Sequence, residues 1–228
     1  MKTEYNYSDI LLQPKHSVLS SRHEADTKVE FGGRTFNLPV YPANMKTIVD
    51  ENLCIWLAEN NYFYTMHRFG TDCYTFLETM KSKELFSSIS IGVNENSYDD
   101  VQLLNDCKLY PDYVTIDIAH GDCQKMKEMI AYCKKMLPNV FVIAGNVCTN
   151  QSVANLALWG ADAVKVGIGP GSVCTTKLKT GFSRPQFSAV LDCANFSNVP
   201  IIADGGIEHN GDIAKALVAG ATMVMAGG

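Results

Sequence analysis

From residue 39 onward, short apolar runs recur at close intervals, each followed by a stretch with helical spacing. The runs occupy 39–45, 62–67, 88–93, 113–118, 141–147, 163–168, 200–204 and 222–226. Rich in β-branched and aromatic residues and bounded by Gly, Pro, Asn or Asp, they read as strands. Between them, 51–60, 73–81, 98–109, 122–137, 151–160, 186–196 and 211–219 read as helices. In 122–137, Met126, Met129, Ile130, Cys133, Met136 and Leu137 fall at i, i+3, i+4 spacing, a stripe that suits core packing. Strands alternating with helices imply a parallel sheet, and eight of them imply an α/β fold of the (β/α)8 TIM-barrel type. A doubly wound open sheet is the alternative, which so even a rhythm disfavours. The reading is one barrel domain over 1–228, with 1–38 as a turn-rich extension that closes one end. The sequence stops at the end of strand eight, so the expected barrel lacks its eighth helix and leaves a seam beside strand one uncovered.

A chain of 228 residues, 46% hydrophobic and 19% charged, can bury one sizeable soluble core. Its net charge of −5 gives no electrostatic basis for nucleic acid or anionic membrane as partner. No apolar run reaches membrane-spanning length, and the chain opens without a basic, apolar leader. The eight cysteines form no C-x-x-C pair, and the five histidines show no metal-ligand spacing. Cys54, Cys107, Cys133 and Cys193 fall in helical patterns, where cysteine acts as a small hydrophobe. This usage fits a reducing cytoplasm.

Chemistry concentrates after strand six. Gly169-Pro170-Gly171 breaks the run 163–168 and leads into Ser172-Val173-Cys174-Thr175-Thr176. Glycines around a proline let the backbone approach a ligand, and a thiol on such a loop is presented rather than packed. Strand seven ends in Asp204-Gly205-Gly206, and strand eight in Gly227-Gly228. Glycines after these two strands expose backbone N–H groups to an anion, the usual phosphate site of barrels, and Asp204 is placed to accept from ribose hydroxyls. A sugar phosphate or nucleoside monophosphate follows as ligand. Asn44-Met45, Met66-His67-Arg68, Asp117-Ile118-Ala119-His120-Gly121 and Gly145-Asn146-Val147 end four other strands, so polar groups converge on one rim. No GxGxxG follows the first strand, so a nicotinamide cofactor would bind in a barrel manner.

Several of these motifs together resemble the IMP dehydrogenase/GMP reductase family. Gly167-Ile168-Gly169-Pro170-Gly171-Ser172-Val173-Cys174-Thr175-Thr176 is similar to its catalytic loop, and Ile202-Ala203-Asp204-Gly205-Gly206-Ile207 to its ribose-phosphate segment. Tyr41-Pro42-Ala43-Asn44-Met45 and Ile116-Asp117-Ile118-Ala119-His120-Gly121 resemble the reductase branch, as does the absence of inserted regulatory subdomains between strands two and three. The resemblance implies that GMP, NADPH and a proton yield IMP, ammonia and NADP+, a step of purine salvage. It makes Cys174 the nucleophile at C2 of the purine, forming a thioimidate, with Thr176 assisting ammonia departure. Ser172, Asp204, Gly205, Gly206, Gly227 and Gly228 would hold GMP. Asp117, Ile118, Ala119, Ile168 and Gly169 would lie along NADPH, joined by Ser21, Arg22 and Arg68. In the dehydrogenase branch the carbonyls equivalent to Gly169, Gly171 and Cys174 bind a monovalent cation, which extends K+ to this chain. The resemblance further implies a homo-oligomer, a tetramer in the family. Family members continue past this point with a flap, an eighth helix and a glutamate that works with the threonine. General acid–base help contributes about 10²–10⁴-fold, so a chain without that glutamate is expected to turn over slowly. A nucleotide-binding fragment without turnover and an IMP dehydrogenase remain the alternative readings.

Overall fold

The computed structural model describes residues 3–171 and 176–227, and only the backbone of Thr176. Seven strands form one all-parallel sheet: β3 (Val40–Pro42), β4 (Ser88–Ile91), β5 (Tyr113–Asp117), β6 (Phe141–Val147), β7 (Ala163–Val166), β8 (Ile201–Asp204) and β9 (Met223–Ala226). They are preceded by an antiparallel hairpin, β1 (Val29–Phe31) and β2 (Arg34–Phe36). The helices are α1 (Glu51–Glu59), α2 (Cys73–Ser82), α3 (Glu95–Asp106), α4 (Gln124–Met136), α5 (Asn150–Leu158), α6 (Thr176–Thr180), α7 (Gln186–Asn195) and α8 (Asn210–Val218). Side-chain caps fix several starts: Asp50 accepts from Leu53 N, Asn94 from Ser97 N and Thr149 from Ser152 N. The Asn94 cap explains why α3 begins ahead of the expected residue 98.

The sheet order is β3-β9-β8-β7-β6-β5-β4, and the sheet curls. β3 and β5 lie far apart in that order, yet Asn44, just past β3, donates from Nδ2 to Asp117 Oδ2 at the end of β5, 3.0 Å away. Tyr41 of β3 also meets Phe63 of the 62–67 segment, with ring centres 4.8 Å apart, and that segment bridges to β4 through Met66 and Ile89. On α4, Met126, Met129, Ile130 and Cys133 are fully buried, so the methionine stripe packs against the sheet as expected.

Of the eight expected strands, 62–67 is a correction. It contributes a single parallel bridge, Met66 to Ile89. The backbone of Tyr62 turns back to Leu57 O of the preceding helix end, and the Tyr64 hydroxyl donates to Phe86 O and accepts from Ser88 N. A side-chain hydroxyl thus occupies backbone groups that a ladder would pair. The extension 1–38 is likewise more structured than expected, because the hairpin 29–36 lies within it. Phe31 and Phe36 are each 1% exposed and pack among Phe63, Phe86, Tyr113 and Phe141. Tyr113 and Phe141 open β5 and β6, so the hairpin plugs the end of the sheet where its strands begin. Cys107 is also a correction: it lies exposed just past α3, while Cys54, Cys133 and Cys193 are buried.

Candidate active site

The opposite end of the sheet is polar. Lys165 alternates with Val164 and Val166 on β7, so its side chain points into the curl while the valines pack outward. Only 2% exposed, its ammonium reaches Asp117 Oδ1 at 2.8 Å and Asp204 Oδ2 at 2.7 Å. These carboxylates end β5 and β8. Asn146, on β6, donates from Nδ2 to Asp204 Oδ2 and to Gly167 O, each 2.8 Å away. With Asn44 on Asp117, four strand ends are tied together around one cation.

The charge balance of this cluster sets its protonation. Burial alone would strip Lys165 of its proton, but Asp117, Asp204 and the neighbouring Tyr41 hold its value above the usual lysine range. Burial likewise works to raise the Asp117 carboxyl. Lys165, the hydrogen bonds from Lys165 and Asn44, and Arg68 overcome it and hold Asp117 below the usual carboxylate range. Burial pushes the Tyr41 hydroxyl well above its ordinary value. The interior therefore carries a lysine cation beside an ionised Asp117.

Two cavities open over this cluster. One, of ≈ 320 Å³, is lined by Arg68, Asp117, Ile118, Ala119, Ile168 and Gly169, among others. The second, of ≈ 290 Å³, is lined by Gly171, Gly205, Gly206 and Gly227. Asn146, Gly167, Gly169 and Asp204 line both. The loops allow this close approach because Gly205 and Gly206 adopt φ of 94° and 78°, in the left-handed region. A Cβ on Gly167 would overlap the Asp204 carbonyl oxygen, so only glycine lets β7 pass β8 there. A larger cavity of ≈ 710 Å³ adjoins Gly169 and Gly206 and is walled by Tyr7, Gln186, Asp212 and Lys215.

The expected site residues divide accordingly. Asp117, Ile118, Ala119, Ile168, Gly169 and Arg68 share one cavity, and Gly171, Asp204, Gly205, Gly206 and Gly227 share the other with Gly169. Ser21 and Arg22 stand elsewhere, exposed at a short 3-10 turn where Ser21 accepts from His23 N. His120 is exposed and lines neither cavity. Ser172, Cys174, Gly228 and the Thr176 side chain lie outside the described residues. The loop that carries them is anchored at both ends. Arg184 N donates to Ile168 O, and the Arg184 guanidinium binds Glu4, Asp192 and Cys148 O. Lys165 was not among the expected residues. Its signal was a lone cation at an inward position of an otherwise apolar strand.

The arrangement suits a ligand with hydroxyls. Asp204 Oδ2 is taken by Lys165 and Asn146, while Oδ1 has no hydrogen-bond partner among the described residues. Asn146 Oδ1 is buried and also lacks a partner among them. Two orphan acceptors beside glycine-lined loops fit ribose hydroxyls and an adjoining phosphate. Among the described residues no three His, Cys, Asp or Glu side chains gather to hold a metal. Of the three carbonyls expected at a monovalent cation, those of Gly169 and Gly171 are described and that of Cys174 lies outside the described residues.

Comparison with known proteins agrees with this geometry. A family profile described as IMP dehydrogenase / GMP reductase domain matches residues 4–228. A protein named GMP reductase from Albidiferax ferrireducens is 55% identical over 98% of this chain and 69% of its own length. One of the same name from Chromobacterium violaceum is 51% identical over 100% and 72%. The crystal structure of inosine 5' monophosphate dehydrogenase from Legionella pneumophila superposes with a TM-score of 0.86, at 34% identity, covering 99% of this chain and 69% of that one. With its motifs, its curled sheet and its relatives in agreement, the chain belongs to the IMP dehydrogenase/GMP reductase family.

Proposed function

We propose that the chain is a GMP reductase: it converts GMP to IMP and ammonia at the expense of NADPH, in purine salvage in the cytoplasm. The observation that carries this reading is the pair of cavities sharing Asp204 and Gly169, one of which reaches Gly171, three residues before Cys174 in the sequence. One cavity suits a nucleoside monophosphate and the other a second ribose-containing ligand. The fold is then a (β/α)8 barrel in one domain, with 62–67 as its second strand position and 1–38 as an extension. Relatives named GMP reductase at 51% and 55% identity favour the reductase over the dehydrogenase at 34%.

In this reading Asp204 Oδ1 and Asn146 Oδ1 accept from the GMP ribose, and the N–H groups at Gly205, Gly206, Gly227 and Gly228 face its phosphate, with Ser172 alongside. Asp117, Ile118, Ala119, Ile168 and Gly169 form the wall for the dinucleotide, and Arg68 at its edge suits an anionic group. When bound, NADPH supplies a hydride to C2 of the purine. The Cys174 sulfur attacks C2, the 2-amino group leaves as ammonia with Thr176 aiding its protonation, and the C–S bond breaks once C2 is reduced. Family membership makes a homo-oligomer the expected assembly.

The test is NADPH oxidation on adding GMP, for the wild type and Cys174→Ala. We expect oxidation with ammonia release in the wild type and a fall to background in the variant, with GMP binding retained. NAD+ reduction on adding IMP would instead identify a dehydrogenase. GMP binding without turnover in the wild type would make the chain a nucleotide-binding protein.

A further inference from the structure

The chemistry above uses Asp117 and Asp204 but not the group between them. Lys165 lies in the floor of the first cavity, is only 2% exposed, and spends its ammonium on these two carboxylates at 2.8 and 2.7 Å. Asp117 faces the cavity assigned to the dinucleotide, and Asp204 faces both. Resting on that assignment, we propose that Lys165 is a positioning residue shared by both ligands: one buried ammonium holds the two ribose-facing carboxylates in register, so that nucleotide and cofactor affinity depend on the same side chain.

The geometry supports this in three ways. First, each carboxylate is pinned by a single oxygen to Lys165 and braced by an asparagine, Asn44 on Asp117 and Asn146 on Asp204. Rotation of either carboxylate is thereby stopped, and Asp204 Oδ1 stays directed away from the cluster. Second, two carboxylates that share one ammonium repel each other once it is gone, and would move apart from the positions they hold around it. Third, the space is fitted to lysine. A Cβ on Gly145, the β6 residue beside it, would stand 2.5 Å from Lys165 Cβ, so a glycine there lets the stem pass. The charged and titratable groups facing Lys165 are Asp117, Asp204 and Tyr41, with Arg68 near Asp117.

The test is equilibrium binding of GMP and of NADP+, each alone, so that no turnover intervenes. The variants are Lys165→Met, Lys165→Arg, Asp117→Asn and Asp204→Asn. We expect Lys165→Met to weaken both ligands about tenfold or more, roughly 1.4 kcal/mol each. Lys165→Arg should restore part of both. Asp117→Asn should weaken chiefly NADP+, and Asp204→Asn chiefly GMP. Should Lys165→Met not fold, Lys165→Gln combined with Asp117→Asn keeps the cluster's net charge, and GMP affinity should still fall about tenfold below that of Asp117→Asn alone. Both affinities unchanged in a folded Lys165 variant would overturn the proposal and leave Lys165 a structural cation. Wild-type protein that binds neither ligand would instead overturn the functional reading, and this proposal with it.

Discussion

Lys165 carries a charge into a place that only opposite charge makes tolerable, and the sign of that dependence can be read by pH. Asp117 is held below the usual carboxylate range, so its contribution to stability is present above the unfolded carboxyl value of about 3.9 and is lost as pH falls through its lower folded value. Lys165 is held above the usual lysine range, so its contribution is present below about 10.4 and is lost only as pH rises through its higher folded value. Between about pH 5 and 9 the pair therefore adds no slope. Replacing Lys165 by Met reverses the sign. Burial is then opposed only by Asn44 and Arg68, the folded carboxyl value rises above the unfolded one, and stability falls as pH climbs from about 4 toward neutrality. Urea midpoints at a series of pH values check this: the wild type should lose stability only in acid, the variant progressively on the way up to neutral pH. Parallel curves would mean that Asp117 does not rely on Lys165.

The hairpin β1–β2 acts at the other end of the sheet, and its effect should be separable from the site. Phe31 stacks on Tyr113 with ring centres 6.0 Å apart, meets Phe63 and Phe141 edge-on, and its carbonyl accepts from the Tyr113 hydroxyl at 2.8 Å. Phe31→Ala should cost about 3–5 kcal/mol in urea denaturation, because the cavity it leaves is walled by rings that cannot collapse freely. GMP affinity in the still-folded variant should be unchanged, since these rings sit where the strands begin and the ligand groups where they end. Loss of affinity equal to the loss of stability would show that the two ends are not independent. This hairpin was hidden in the sequence because three-residue strands around Gly32-Gly33 are too short to show alternation. The parallel strands were legible because all but β3 are runs ended by a glycine or an acid, and the same punctuation gave away Asp117, Asp204 and Gly205. The run 62–67 has the composition of a strand but not the pairing, since that depends on where the Tyr64 hydroxyl points. Lys165 escaped notice for the converse reason: a single cation inside a strand looks like surface until the curl of the sheet shows which side is inward.

For the whole molecule, the question is how firmly the curl is closed. β5, β6, β7, β8 and β9 each have a hydrogen-bonded neighbour on both sides, whereas β3 pairs with β9 alone among the described residues. Across the remaining gap the Tyr41 and Phe63 rings meet, and at the base Asn37 N donates to Asn61 O at 2.9 Å and Asn37 Nδ2 to Asn60 O at 2.8 Å. Among the described residues no backbone ladder closes the curl there. Amides without ladder partners open in local fluctuations, while those in doubly paired strands open only with the fold. Hydrogen exchange followed by mass spectrometry should therefore find Val142 to Ala144 and Val164 to Val166 slowest, with 63–65, whose amides have no backbone partner among the described residues, markedly faster despite the burial of Phe63 and Tyr64. Protection of 63–65 equal to that of β6 would mean that a ladder closes the gap in solution. The distinction bears on the site, because Asn44 lies just past β3 and reaches Asp117 across the interior. If the gap is the weak line of the fold, GMP and NADP+ bound at the strand ends stabilise one side of it through Asp204 and the other through Asp117. Their joint addition should then slow exchange at 40–44 more than either ligand alone.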